Sequence, residues 1–312
     1  MKRIQILLST YNGEKYLREQ LDSFAALDNF DRVKVLIRDD GSRDGTRFLL
    51  KEYRERYGFE IIYGENVGLN VSMHRLLLAA DTSCDYFAYA DQDDKWLPHK
   101  LSRAVKMLDA LDAEGGTPLL YSARSTLTDE ALSPIGATIF PRREPSFYNA
   151  MIQNVCPGHS QVFNRPLLAI LKRHLAPRTY VIDHWIWLCA TAFGKFVLDR
   201  EETTLYRQHG RNVIGYGASR AELLRNRFRQ VFRNVPMRHG AQLADFLAYF
   251  GEEMPREYKE EAERFLNASG FFGRLGYLFR RRVFRQGVFE NLCFGFIYLL
   301  GRYKNDENKE NK

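Results

Sequence analysis

Short β-rich apolar runs alternate with longer helical patterns through the first ~120 residues, and this rhythm constrains the fold more than any other feature of the chain. IQILLS precedes a helical pattern from about Glu14, VKVLIR one from about Asp44, FEIIY one from about Leu69 and YFAYA one from about Pro98; PLLYSA closes the series. Strands that alternate with helices predict a parallel, doubly wound α/β sheet. In such sheets ligands sit beyond the carboxyl ends of the strands. The residues there are polar: Ser9-Thr10-Tyr11-Asn12-Gly13 after the first run, Asp39-Asp40-Gly41-Ser42-Arg43-Asp44-Gly45 after the second and Asp91-Gln92-Asp93-Asp94 after the fourth. Carboxylates crowded at one sheet edge repel one another and need a cation or hydrogen-bond donors.

The length of 312 residues suits one large α/β domain with an appendage. With 45% hydrophobic and 27% charged residues the composition is globular, and disorder is expected only for the polar tail, residues 305–312. Cys84, Cys156, Cys189 and Cys293 lie far apart with no C-x-x-C pair, which fits a reducing compartment and neither a zinc site nor a disulfide framework. The amino-terminal apolar run is short and reads as a first strand, not as a signal peptide. The formal net charge is +7, and from Leu205 to Lys304 there are 18 Lys/Arg against 9 Asp/Glu, so the basic character belongs to the last third.

YADQDDKWLP sets Asp91 and Asp93 two apart at a predicted strand end, with Asp94 adjoining. Oxygen ligands of this kind suit Mg²⁺ or Mn²⁺ shared with substrate phosphates; a cap for the helix beginning near Pro98 would need fewer acids. In IRDDGSRDGT, Asp44 or Ser42 is expected to cap the following helix, leaving Asp39 or Asp40 to accept from a base N–H.

The series STYNGEKYLREQLDS, IRDDGSRDGT, ENVGLN and YADQDDKWLPHKL, in that order and spacing, resembles the amino-terminal half of family 2 glycosyltransferases. The later IDHWIWLCATAFGKF and LYRQHGRNVIG resemble the rhamnosyltransferase-like branch that builds O-antigen and other surface polysaccharides. The resemblance implies a GT-A fold, Rossmann-like with a mainly parallel sheet flanked by helices, over residues 1–217, followed by a basic and aromatic helical extension over residues 218–304. By position it implies that Ser9, Thr10 and Tyr11 line the nucleotide pocket, that Asp40 reads a pyrimidine N3–H, and that Asn66 and Gly68 form the N-x-G turn. It further implies that Asp93 is the direct metal ligand, that Asp91 lies near the ribose and the metal waters, and that Asp183 is the catalytic base. Gln92 departs from the pattern, in a position that is often small or acidic.

Asp183 also fits an N-cap for the helix through Trp185 and Trp187, and the two roles are compatible. His209 fits a metal ligand, a diphosphate contact or a structural residue, with Arg207 and Arg211 nearby as diphosphate candidates. Trp185 and Trp187 are acceptor candidates, although at spacing two on a helix they cannot share a face, so at least one is expected in the core. The run from Arg274 to Tyr303 interleaves arginines with aromatics and is too short in its uncharged part to span a bilayer. It reads as an interfacial helix, with Arg280, Arg281, Arg282 and Arg285 at anionic headgroups and Phe279, Phe284 and Phe289 entering the interface; a helix packed on the rest of the chain or on a partner is the other reading.

The expected function is inverting transfer of a sugar, L-rhamnose from dTDP-L-rhamnose first and otherwise a hexose from UDP, to a saccharide or lipid-linked saccharide acceptor. The expected location is the cytoplasmic inner face of a bacterial membrane, with no nucleic-acid partner. A nucleotidyltransferase would carry a glycine-rich basic loop after the first strand, where this chain has STYNGEKY. A nucleic-acid- or lipid-binding protein would explain the basic tail and not the acidic sheet edge.

Overall fold

The structure is a computed structural model and describes residues 2–112, 115–174, 181–209 and 238–303. Its chain divides into two compact units. The first comprises residues 1–140, 156–173 and 194–217, the second residues 141–155, 174–193 and 218–312.

The first unit carries nine strands among the described residues, ordered β3-β2-β1-β4-β8-β6-β9-β5, with β7 beside β6. They are β1 (Ile4–Thr10), β2 (Val33–Asp39), β3 (Glu60–Tyr63), β4 (Tyr86–Ala90), β5 (Lys95–Trp96), β6 (Leu119–Thr128), β7 (Pro134–Ala137), β8 (Val162–Asn164) and β9 (Lys195–Arg207). The first four are mutually parallel, and their register sets Thr10 opposite Asp39 and Leu8 opposite Ala90. Every residue of β1 and β4 is buried, as expected of parallel strands covered on both faces.

The connecting helices are α1 (Glu14–Ala25), α2 (Thr46–Tyr57), α3 (Leu69–Ala79) and α4 (Lys100–Leu111), close to where the sequence periodicity places them. In α1 the buried set includes Leu17, Gln20, Leu21 and Phe24, one stripe of a 3.6-residue period. The α2 helix stops at Gly58, whose φ of 72° closes a left-handed cap. Beyond β4 the sheet is no longer purely parallel. β8 enters between β4 and β6, antiparallel to both, and β5 pairs antiparallel with β9. The helix α6 (Arg165–Arg173) follows β8 directly.

The second unit holds the short α5 (Phe147–Ala150), then α7 (Ile182–Phe193), α8 (Arg238–Phe250), α9 (Arg256–Asn267), α10 (Gly270–Arg280) and α11 (Val288–Leu299). Its core is aromatic: Phe147 stacks on Tyr258 at 4.7 Å, Trp185 meets Phe246 edge-on at 5.3 Å, and Phe265 stacks on Tyr298 at 5.1 Å. A buried carboxylate organises its far end, for Glu261 accepts hydrogen bonds from Tyr277 Oη at 2.8 Å and the Arg282 amide at 3.1 Å. Among the described residues no helix is long and apolar enough to cross a membrane. The expected tail, residues 305–312, lies outside the described residues.

Candidate active site

Parallel register brings the ends of β1, β2 and β4 to one edge, and the loops that follow are tied together by side chains of the polar sequence blocks. The Asn12 amide donates to Ser42 Oγ at 2.9 Å, the Gly13 amide to Thr46 Oγ1 at 2.8 Å and the Arg43 amide to Asn12 Oδ1 at 2.9 Å. Asp44 accepts from the Thr46 amide at 3.1 Å, one residue ahead of the helix cap at Gly45. Gly41 has a φ of 82°, and a Cβ there would meet the Asn66 amide nitrogen at 2.8 Å, so the turn after β2 requires glycine on both counts.

Gln92, the departure from the family pattern, joins the loop after β4 to the loop after β1. Its Oε1 accepts from Thr10 Oγ1 at 2.6 Å and from the Tyr11 amide at 2.9 Å. Ser9 Oγ lies 2.5 Å from Ser72 Oγ on α3. Tyr11 stands more than two-fifths exposed, whereas Ser9 and Thr10 are buried, and Asn66 and Gly68 are exposed on the loop before α3.

Asp40 has a structural task that sequence reasoning missed. Its carboxylate pairs with the buried Arg38 guanidinium and accepts from the Val67 amide at 3.0 Å and the Gly68 amide at 2.9 Å. Three donors leave about one lone-pair site of the carboxylate, and Asp40 is itself only 3% exposed, so its first task is to hold the loop. Arg38 also donates to Ser72 Oγ at 2.8 Å and the Glu65 carbonyl at 3.0 Å. Only the arginine two residues before Asp40 on the same strand face signals this role in the sequence.

The acidic turn splits into an outer and an inner part. Outside, His209 Nε2 lies 2.7 Å from Asp93 Oδ2, and the His209 ring stacks on Tyr16 at 5.0 Å. Inside, oxygens of Asp91 and Asp94 and a ring nitrogen of His159 lie within 4.8 Å of one another. Asp94 is fully buried, and its Oδ2 has no hydrogen-bond partner among the described residues. Burial, with Asp93 and Asp91 beside it, holds the Asp94 carboxyl well above the usual carboxylate range. Lys100 supplies a buried countercharge, donating from Nζ to the His159 carbonyl at 2.9 Å and Thr204 Oγ1 at 2.8 Å; burial pushes it down to about 7.

An orphaned carboxylate oxygen amid carboxylates and imidazoles fits a hard divalent cation such as Mg²⁺ or Mn²⁺. Asp94 and His159 are closed to solvent, whereas Asp93 and the half-buried Asp91 are open to it. The ligand atoms that lie together are the inner ones, of Asp91, Asp94 and His159, while Asp93 and His209 form a separate pair nearer the surface.

Two expectations are corrected by burial. Arg207 is 2% exposed: its guanidinium donates to the Asp93 carbonyl at 2.9 Å, to the Glu130 carbonyl and to Glu19, and lies 4.6 Å from the Tyr16 ring. Its amide donates to Asp94 Oδ1 at 3.2 Å, so Arg207 braces the acidic turn from behind and does not face a diphosphate. Trp185 and Trp187 are both fully buried, and Trp185 Nε1 donates to the His174 carbonyl at 3.0 Å, so neither indole offers a face to an acceptor sugar. Arg211 lies outside the described residues. Asp183 stands half-buried in the first turn of α7, in the second unit.

A mixed sheet whose first four strands run parallel and carry tied polar loops and an acidic turn at their carboxyl ends is the arrangement in which α/β proteins bind a ligand at that edge. Residues 5–172 match the profile of glycosyl transferase family 2, and the chain belongs to that family. The dTDP-rhamnosyl transferase RfbG of Shigella flexneri is 27% identical over 243 residues, covering 71% of this chain and 80% of that protein. Rv1520 of Mycobacterium tuberculosis is 29% identical over 215 residues, which are 67% of this chain and only 60% of the relative's length. Among solved structures, TarS 1–349 of S. aureus in complex with UDP-GlcNAc superposes with a TM-score of 0.58 at 15% identity, covering 96% of this chain and 91% of that one. The mannosyltransferase PcManGT of Pyrobaculum calidifontis, in complex with GDP-Man and Mn²⁺, superposes with a TM-score of 0.53 at 17% identity, covering 96% and 85%. The fold is GT-A, with a mixed, mostly parallel sheet flanked by helices and further helices at the carboxyl end.

Proposed function

We propose that this chain is an inverting glycosyltransferase that moves a sugar from a nucleoside diphosphate to a saccharide or lipid-linked saccharide hydroxyl. The observation that carries the reading is the acidic turn at the sheet edge, Asp91 to Asp94, set beside the loops after β1 and β2 within a chain of this family. Ser9, Thr10, Tyr11, Asn66 and Gly68 are assigned to the nucleotide, with Asp40 using its remaining acceptor site on the pyrimidine. L-rhamnose from dTDP-L-rhamnose is the first donor, supported by the likeness to RfbG; a UDP-hexose is the next, and the thymine and uracil N3–H are equivalent to Asp40. The place of work is the inner face of a bacterial membrane, in surface polysaccharide synthesis such as O-antigen.

In the proposed step the acceptor oxygen attacks the anomeric carbon opposite the leaving group and forms the new C–O bond. The old bond to the diphosphate breaks with its electron pair on the phosphate oxygen, and the acceptor proton passes to the Asp183 carboxylate. Asp93, with Asp91 and His209, would hold Mg²⁺ or Mn²⁺, whose charge stabilises the departing diphosphate.

The test is a panel of nucleotide sugars scored for slow hydrolysis and for transfer, with Mn²⁺, with Mg²⁺ and with EDTA. Metal-dependent turnover of one donor is expected, with Asp93→Ala reducing it to background while the melting temperature stays within a few degrees. Full turnover in EDTA, or in the Asp93→Ala protein, sinks the metal assignment. No turnover of any donor in the panel sinks the enzymatic reading.

A further inference from the structure

Helices α10 and α11 bury one side and expose large apolar side chains on the other. The buried side is accounted for: Tyr277, Phe294, Ile297 and Tyr298 pack inward, and Tyr298 Oη donates to the Phe265 carbonyl at 2.6 Å. On the outer side Phe272 is 84%, Phe279 83%, Val288 82% and Leu292 67% exposed, and Phe296 continues the α11 series at spacing four, with the exposed Leu300 just past the helix end. Large apolar side chains in such density on an outer face mark a contact surface, because water solvates them poorly.

The charges around that face select its occupant. Residues 270–303 contain six arginines and a single acid, Glu290. Arg280, Arg281 and Arg282 follow Phe279 directly; Arg280 is exposed, Arg282 is exposed and shares its charge with Glu257, and Arg281 is half-buried with its guanidinium on the Val283 and Leu278 carbonyls. A two-fold contact between copies of this chain would set this basic rim against itself. An anionic bilayer satisfies both halves of the surface, with aromatic and aliphatic side chains in the acyl boundary and guanidinium groups among phosphates.

We infer that the outer face of the α10–α11 pair is a lipid-docking surface for anionic phospholipid, entered by Phe272, Phe279, Val288, Leu292 and Phe296. This deepens the membrane location in the proposed function and rests on that reading only for the choice of leaflet. The face differs from the one expected of the sequence alone. Phe284 is half-buried with Arg143 3.9 Å from its ring centre, Arg285 donates to the Ile152 carbonyl at 2.8 Å, and Arg282 pairs with Glu257.

The experiment is co-sedimentation of the full chain with phosphatidylcholine vesicles, plain or with roughly one-third phosphatidylglycerol. The protein is expected to partition onto the anionic vesicles and only weakly onto the plain ones, with raised salt removing part of the binding. Phe272→Ser, Phe279→Ser and Leu292→Ser combined should lower partitioning at least ~10-fold with donor hydrolysis unchanged. Because three substitutions could disturb the fold, Phe279→Trp serves as a second variant, whose indole emission should shift to the blue on adding anionic vesicles. The inference is overturned if the intact chain ignores anionic vesicles, if the triple variant binds as well as the parent, if the emission of the Phe279→Trp protein does not move, or if the triple substitution instead dissociates a dimer that never bound lipid. Donor hydrolysis without vesicle binding would leave the enzymatic reading standing and remove this one; vesicle binding without hydrolysis would do the reverse.

Discussion

At the scale of single residues, the acidic turn gives adjacent aspartates different tasks because their surroundings differ. Asp93 reaches solvent beside His209, whereas Asp94 is sealed between the Arg207 amide and the Asp91 and His159 side chains. A test at this scale belongs to the proposed base, Asp183. Replacement by Asn keeps the shape and the first-turn position but cannot take up the acceptor proton. Turnover kcat should then fall by about 10²–10⁴ with donor affinity little changed. A loss of donor affinity at unchanged kcat would move Asp183 from proton acceptor to binding residue. His184, its neighbour on α7, offers no substitute, since the ring is buried and its Nε2 lies 2.6 Å from the Ala150 carbonyl.

At the scale of elements, Asp40 and Arg38 hold the loop before α3 against β2, and this makes Asp40 a risky probe of nucleotide binding. Asp40→Ala would leave the Arg38 guanidinium buried with only Ser72 Oγ and the Glu65 carbonyl as acceptors. Stripping a buried ion pair of one partner costs on the order of 3–5 kcal/mol. The urea midpoint should therefore drop sharply for Asp40→Ala and recover in part when Arg38→Met is added. Equal midpoints for the single and double variants would show that the pair is not coupled in the way the geometry requires. The same loops mark what the sequence discloses and what it hides. The four strands and four helices of the first half are legible because each short continuous apolar run, in β1 and β4 a strand buried on both faces, is followed by its own helix with a 3.6-residue period to read. β8 has three residues and borrows its partners β4 and β6 from far away in the chain, so no local period announces it. Arg207 and the two tryptophans carry side chains suited equally to ligands and to the interior, and only tertiary burial decides between them.

At the scale of the whole molecule, buried neutral histidines predict a chain that weakens in mild acid. Burial pushes His159 down to about 3 and His184 down to about 4, and holds His239 well below the ordinary histidine value. An unfolded histidine titrates near 6.5. Between that value and the folded ones the unfolded chain binds the protons and the native chain does not, so stability is fully present above about pH 6.5 and is lost as pH falls toward the folded values. Lys100 acts in the same direction in a higher window, since its folded value of about 7 lies below the ~10.4 of an unfolded lysine, and its contribution grows as pH rises between them. His159 and His184, the two fully buried rings, each withdraw about 2 kcal/mol between pH 6.5 and 5, against a typical total of roughly 5–15 kcal/mol. Asp94, whose carboxyl is held high, binds its proton more readily in the native chain and opposes this loss, but it is one group against three rings, so urea midpoints of the full chain at pH 7.5, 6.0 and 5.0 should fall. His184→Gln, which cannot take up a proton, should be less stable at pH 7.5 and should flatten the acid slope by about one histidine's share. A midpoint that stays level down to pH 5.0, or an unchanged slope in His184→Gln, would mean that these rings accept protons without leaving the native packing.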